Sequence, residues 1–122
     1  MNREREPIWS AAVPNENLQI ELLQAGSGPA VEAGQTVTVH YTGWLEDGTK
    51  FDSSHDRKEP FQVAAGVGQV IGGWDQALIR LRGGDKARLT IPPHLAYGEQ
   101  GIPPIIPANA ALVFELEILE VS

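Results

Sequence analysis

Thr36-Val-Thr-Val-His-Tyr-Thr-Gly-Trp-Leu-Glu-Asp-Gly-Thr-Lys-Phe-Asp-Ser-Ser54 is the stretch on which the fold turns. Its opening residues alternate apolar and polar, so Val37, Val39 and Tyr41 share one face, the two-residue period of a half-buried strand. Asp47-Gly48 follows, and a new apolar-polar alternation begins at Phe51. An Asp-Gly pair between two strand-like runs predicts a β-hairpin, with both turn residues tolerating positive φ.

The pattern extends outward on both sides. Toward the N-terminus, Leu18, Ile20 and Leu22 alternate with Gln19 and Glu21 as a further strand, broken by Gly26-Ser-Gly28-Pro29. Residues 1–16 carry charge, Pro7 and Pro14 without periodicity and read as an extended or partly disordered leader, with Trp9 docking on the domain that spans 17–122. Beyond the hairpin, His55–Glu59 reads as a loop and Phe61-Gln-Val63 as a short extended run. Gly73–Leu81 places Trp74, Ala77, Leu78 and Leu81 on one helical stripe, stopped by Gly83-Gly84. Lys86–Ile91 points Ala87, Leu89 and Ile91 inward, and Leu112–Val121 does the same with Leu112, Phe114, Leu116 and Ile118. Tyr97–Ala108 is a Gly/Pro/Ile-rich loop. The sum is an α+β domain: a mainly antiparallel sheet of about five strands packed on one short α-helix.

Composition removes whole classes of function. The chain of 122 residues suits one domain, and without cysteine it has no disulfide, thiolate zinc site or cysteine nucleophile. A formal net charge of -7 argues against nucleic acid, whose binders need a basic face. The acidic Glu115, Glu117 and Glu120 read as solvated surface. No apolar stretch is long enough to span a bilayer, and the charged start is unlike a signal peptide, so no membrane partner and a cytoplasmic location are expected. Nothing demands more than a monomer.

Several motifs fail on inspection. Gly66-Val-Gly68 opens like a dinucleotide fingerprint, but Ile71 stands where the third glycine belongs and no βαβ pattern surrounds it; a turn is the better reading. His40, His55 and His94 share no metal-ligand spacing. Ser53-Ser54 beside His55 lacks a positioned third group and reads as turn hydroxyls. What remains is a set of rings from six separate elements: Tyr41, Phe51, Phe61, Trp74, Tyr97 and Phe114. They could simply fill the core. Tyr97 in a Gly/Pro loop, and the apolar run Ile102-Pro-Pro-Ile-Ile-Pro107 in a solvent-facing connection, point instead to a lined site.

Val39–Gly48, Phe51-Asp-Ser-Ser54, Pro60-Phe61, Val70-Ile-Gly-Gly-Trp74, Ala96-Tyr-Gly98, Ile105-Ile-Pro107 and Leu112-Val-Phe-Glu115 closely resemble, in order and spacing, the motifs of the FKBP family of peptidyl-prolyl cis-trans isomerases. The resemblance covers Leu18 to Val121. It implies a strongly bent antiparallel sheet wrapped around the helix near Trp74, with a pocket between them. By motif position Trp74 is the pocket floor, and Tyr41, Phe51, Phe61, Val70, Ile71 and Phe114 are its walls. Tyr97 reaches over with its hydroxyl, Asp52 sits at the rim held by Arg57, and Ile105 and Ile106 belong to a flap. Asp52, Trp74, Tyr97 and Phe114 are the implied catalytic set. Two positions depart from the commonest pattern: Val63 where an aromatic is usual, which shortens one pocket edge, and Ile102 where the flap often carries histidine. The loop between Gly98 and Ala108 is too short to hold an inserted chaperone domain.

Rotation about a peptide bond faces a resonance barrier of roughly 18–20 kcal/mol, and X-Pro exchange takes on the order of tens to hundreds of seconds. The twisted transition state has lost conjugation and is less charge-separated than the planar amide, so a dry aromatic pocket favours it without a nucleophile. The implied function is therefore non-covalent X-Pro isomerisation assisting protein folding, with no cofactor and no metal. The implied partners are proline-containing segments of client proteins and macrolides such as tacrolimus and rapamycin. The competing expectation is a chaperone or scaffold module that holds proline segments with little turnover.

Overall fold

The structure is a computed structural model that describes residues 18–122. The leader expected over 1–16, Trp9 included, lies outside the described residues. In chain order the elements are β1 (Gln19–Gln24), β2 (Thr36–Leu45), β3 (Lys50–Ser53), α1 (Ser54–Arg57), β4 (Phe61–Ala64), α2 (Gly72–Leu78), β5 (Lys86–Ile91), a 3-10 turn (Pro93–Leu95) and β6 (Leu112–Val121). Every strand pair is antiparallel. The order across the sheet is β1-β5-β6-β2-β3, with β4 also paired to β2.

β3 and β4 share one edge of β2: β3 pairs with Thr42–Trp44, and β4 with Thr36–Val39. They form one interrupted fifth position, which reconciles six named strands with the expected five. The interruption is α1, part of the segment read from sequence as a loop. Ser53 caps it, its Oγ accepting from the Asp56 N–H at 3.2 Å, and Lys58 ends it in the left-handed region at φ 56°. A single helical turn is too short to display a 3.6-residue period, so the sequence carried no readable helix there.

The β2–β3 hairpin forms where Asp-Gly predicted it, with a different turn. The Gly48 N–H donates to Leu45 O at 2.9 Å and the Leu45 N–H to Thr49 O at 2.8 Å, with Gly48 at φ 93° and the register shifting between Gly43 and Trp44. Only Gly48 takes positive φ; Asp47 instead accepts the Thr49 N–H at 2.9 Å. This is a longer loop closed by a bulge rather than a two-residue turn.

The inward rows of β2, β5 and β6 make the core. Val37, Val39, Ala87, Leu89, Ile91 and Leu112 are fully enclosed, and each large apolar side chain so buried stabilises the fold by roughly 1.5–3 kcal/mol. Leu22 departs from its expected inward place and is 48% exposed. β1 is the outer strand, and its register against β5 slips between Leu22 and Gln24.

The helix α2 buries Trp74, Ala77 and Leu78 against this face. It lies close to β5: a Cβ on Gly73 would come within 2.5 Å of Ile91 Cγ2. The helix ends at Leu78, earlier than its apolar stripe predicted. Leu81 stays buried but sits in tighter turns, with Arg80 N–H donating to Ala77 O and Leu81 N–H to Leu78 O. Gly83-Gly84 therefore serves another purpose. The pair crosses Gly26 and Gly28 so closely that a Cβ on Gly26 would meet Gly83 O at 2.2 Å. Buried Asp85 locks the crossing by accepting from the Gly26 and Arg82 N–H groups at 2.7 and 2.9 Å. No helix among the described residues is long and apolar enough to cross a membrane.

Candidate functional site

An open cavity of about 440 Å³ lies between α2 and the concave face of the sheet. Its centre is Trp74, on the first turn of α2 and almost wholly buried. Three rings meet the indole edge-on: Tyr41 at 5.0 Å and 86°, Phe114 at 5.4 Å and 87°, and Phe61 at 6.1 Å and 76° between ring centroids. Phe51 meets Phe114 at 5.6 Å and 86°. Such edge-to-face contacts are the favoured geometry for aromatic pairs and hold each ring in place. Sequence reading gave no role to Gly43, yet a Cβ there would come within 2.7 Å of both Phe51 and Phe114. Its bareness is what lets those two rings meet.

Polar groups gather on one side of this cage. The Tyr41 hydroxyl donates to Asp52 Oδ2 at 2.6 Å, and Arg57 Nη2 donates to the Tyr41 oxygen at 2.9 Å. Arg57 Nη1 forms an ion pair with Asp52 Oδ1, and its guanidinium lies 5.7 Å from the Tyr41 ring centroid. Partial burial pushes the Asp52 carboxyl up, but hydrogen bonds from Tyr41 and Arg57 together outweigh it and hold Asp52 below the usual carboxylate value. Asp52 is thus an anion at neutral pH and already committed to three donors, Tyr41, Arg57 and the Ser53 N–H at 2.8 Å. Burial, with the charge of Asp52, raises the Tyr97 phenol above its ordinary value. Tyr97 is 38% exposed at the cavity mouth, and its hydroxyl has no partner among the described residues. The Ile71 N–H, which precedes α2, is likewise unpaired.

Tyr41, Phe51, Asp52, Phe61, Val70, Ile71, Trp74, Tyr97 and Phe114 all line the cavity. The other expected site residues lie elsewhere. Arg57 stands behind Asp52 and borders a separate hollow with Thr38, Glu59 and Gln62. Val63 does not shorten a pocket edge; it is buried in the core opposite Val37, two residues further along β4 than Phe61. The flap is split. Ile106 is buried, bridged to Ile102 by paired backbone hydrogen bonds of 2.8 Å, whereas Ile102 and Ile105 are 44% and 55% exposed. None of the three lines the cavity, because the bridge turns Ile106 into the core and leaves the other two facing solvent.

Gly68 and Gln69 line the cavity and were missed. The available signal was Gly66-Val-Gly68, correctly a turn but one at the rim. Ser54, read from sequence as a turn hydroxyl, opens the helical turn α1 and faces inward. It is fully buried, accepts from the Tyr41 N–H at 2.8 Å and lies 2.7 Å from His40 Nδ1. His40 stacks on His55 with ring centroids 4.3 Å apart. Among the described residues, no group of three or more His, Cys, Asp or Glu is placed to hold a metal ion.

Residues 28–119 match the family described as FKBP-type peptidyl-prolyl cis-trans isomerase. The chain is 53% identical over 105 residues to FK506-binding protein 1 of Debaryomyces hansenii, covering 85% of this chain and 94% of that protein. It is 51% identical over 105 residues to an FK506-binding protein of Neisseria meningitidis serogroup A, covering 86% and 96%. The crystal structure of AtFKBP13 superposes with a TM-score of 0.83 at 37% identity, over 86% of this chain and 93% of that one.

Proposed function

The chain belongs to the FKBP-type peptidyl-prolyl cis-trans isomerase family, and from that premise we propose that its cavity turns over X-Pro bonds by enclosing the twisted amide. The observation that carries this reading is the cage itself: an apolar floor and walls with two donors that are unpaired among the described residues, the Tyr97 hydroxyl at its mouth and the Ile71 N–H in its wall. The proline ring packs on the Trp74 face. The donors hold the flanking carbonyls while the imide bond rotates, and the dry walls favour the less charge-separated twisted state. No group has to take or give a proton, and the one carboxylate present is already paired.

Two relatives are named for binding FK506. We extend that property to this chain: tacrolimus and rapamycin occupy the same cavity, with their pipecolyl ring in the place of proline. The departure at Val63 has no bearing on that binding, since Val63 does not touch the cavity. We further propose that the protein acts as a cytoplasmic monomer on proline segments of its clients.

A protease-coupled assay on a Leu-Pro tetrapeptide tests the reading. Acceleration of the slow phase, abolished competitively by tacrolimus, is the expected result. Saturable peptide binding without acceleration would return the scaffold alternative.

A further inference from the structure

The glycine pair that imitates a dinucleotide fingerprint does hold an anion, one supplied by its own chain. Asp75, in the first turn of α2, accepts from the Gly66 N–H through Oδ1 at 3.1 Å and from the Gly68 N–H through Oδ2 at 2.7 Å. Both glycines have positive φ, 72° and 84°, which turns their N–H groups toward one side as an anion-binding concavity. The loop is fastened a second time where Gln69 Oε1 accepts from the Ala64 N–H at 3.0 Å. Asp75 does nothing comparable for its own helix, whose N-cap, Ile71, makes no side-chain capping bond. A carboxylate in the first helical turn would ordinarily be explained by the helix dipole. Here both of its oxygens are committed to the loop.

That loop is a wall of the cavity. Gly68, Gln69, Val70 and Ile71 line it, and Ile71 brings one of the two unpaired donors. Trp74, the floor, is the neighbour of Asp75 on the same helical turn, so the two side chains leave α2 about 100° apart. One points into the cavity and the other grips the back of its wall. We propose that Asp75 is a positioning residue for this site: by tying the wall Gly68–Ile71 to the helix that carries Trp74, it sets the cavity's width and the reach of the Ile71 N–H. The inference rests on the isomerase reading of the cavity, and Asp75 itself touches no substrate.

The test compares the full chain with Asp75→Asn and Asp75→Glu. Asparagine keeps the size and one accepting oxygen but turns an NH2 donor toward the other glycine N–H. Loss of one charge-assisted hydrogen bond corresponds to about tenfold. We expect kcat/KM on the Leu-Pro tetrapeptide to fall by about that factor, chiefly through KM, and tacrolimus to dissociate about tenfold faster. Amides of Gly66 and Gly68 should exchange rapidly with solvent while those of Leu89 and Leu116 keep their protection. Asp75→Glu, with both oxygens, should recover most of the loss. Freely exchanging Gly66 and Gly68 amides together with wild-type KM and wild-type drug release would overturn the proposal. So would a general loss of core protection, or failure of the Asn variant to fold, since Asp75 would then be a stability residue. A wild-type protein that binds tacrolimus without turnover refutes the isomerase reading alone, and drug release still decides the role of Asp75.

Discussion

Tyr97 and Asp52 carry the mechanistic question at the scale of single residues. If pocket shape and polarity do the work, Tyr97→Phe removes one hydrogen bond, worth about 0.5–1.5 kcal/mol. Turnover of the tetrapeptide should fall only several-fold, as measured by kcat/KM in the coupled assay. Asp52 sits at the edge of the cage with its charge held by Tyr41 and Arg57. A general acid or base would instead be expected with a pKa near the working pH. We therefore expect Asp52→Asn to keep part of the activity and the wild-type rate to stay flat across neutral pH. A rate that follows a carboxylate titration, with Asp52→Asn folded but inactive, would sink the non-covalent mechanism.

At the scale of elements, the flap shows how a motif can be placed well and still be misread. Ile102, Ile105 and Ile106 were grouped as one apolar surface. The backbone bridge between Ile102 and Ile106 divides them, making Ile106 an anchor and leaving Ile102 and Ile105 at the surface. On the isomerase reading we propose that those two, exposed beyond the cavity, meet the residue preceding proline. Leu-Pro peptides should accordingly turn over faster than Glu-Pro peptides, and replacing Ile105 with Asp should shrink that preference while tacrolimus still binds. Equal rates for the two peptides in the unmodified protein would rule the flap out as a specificity element. α1 teaches a related lesson. It is too short to announce itself, yet it breaks the β3–β4 edge and brings Arg57 to Asp52 and Tyr41.

At the scale of the whole molecule, the same ion pair links the site to acid stability. Asp52 has a folded-state pKa below its ordinary value, so the unfolded chain takes up its proton first as pH falls. Its contribution is present above the ordinary carboxylate value and disappears as pH falls through the depressed folded one. Both partners are substantially exposed, at 37% and 47% of their side chains; solvent screening keeps the effect to about 1 kcal/mol or less. Denaturant titrations should show wild type more stable than Asp52→Asn at neutral pH, with the gap closing as the solution is acidified below the carboxylate range. A gap that widens on acidification would mean that the carboxyl is not stabilised as an anion in the folded protein.

What the sequence determined by itself was whatever depends on short-range periodicity and residue type. Alternation placed β2, β5 and β6 with their inward rows, Asp-Gly located the hairpin, and the stripe from Trp74 to Leu81 found the helix. Residue type singled out Tyr41, Phe51, Phe61, Trp74 and Phe114, and it was the resemblance of the motifs around them to a known family that made them the rings of a site; they meet in the cage. Tertiary structure alone decided the rest, because those features are contacts between segments distant in the chain. Gly83 and Gly84 look like a helix stop until they are seen crossing Gly26 and Gly28, and Val63 looks like a pocket edge until it is seen opposite Val37. Gly66 and Gly68 look like an idle turn until the Asp75 carboxylate is found facing their N–H groups. Periodicity reports which face of an element avoids water. It is blind to which other element arrives there, since that is fixed by how the whole sheet bends around α2.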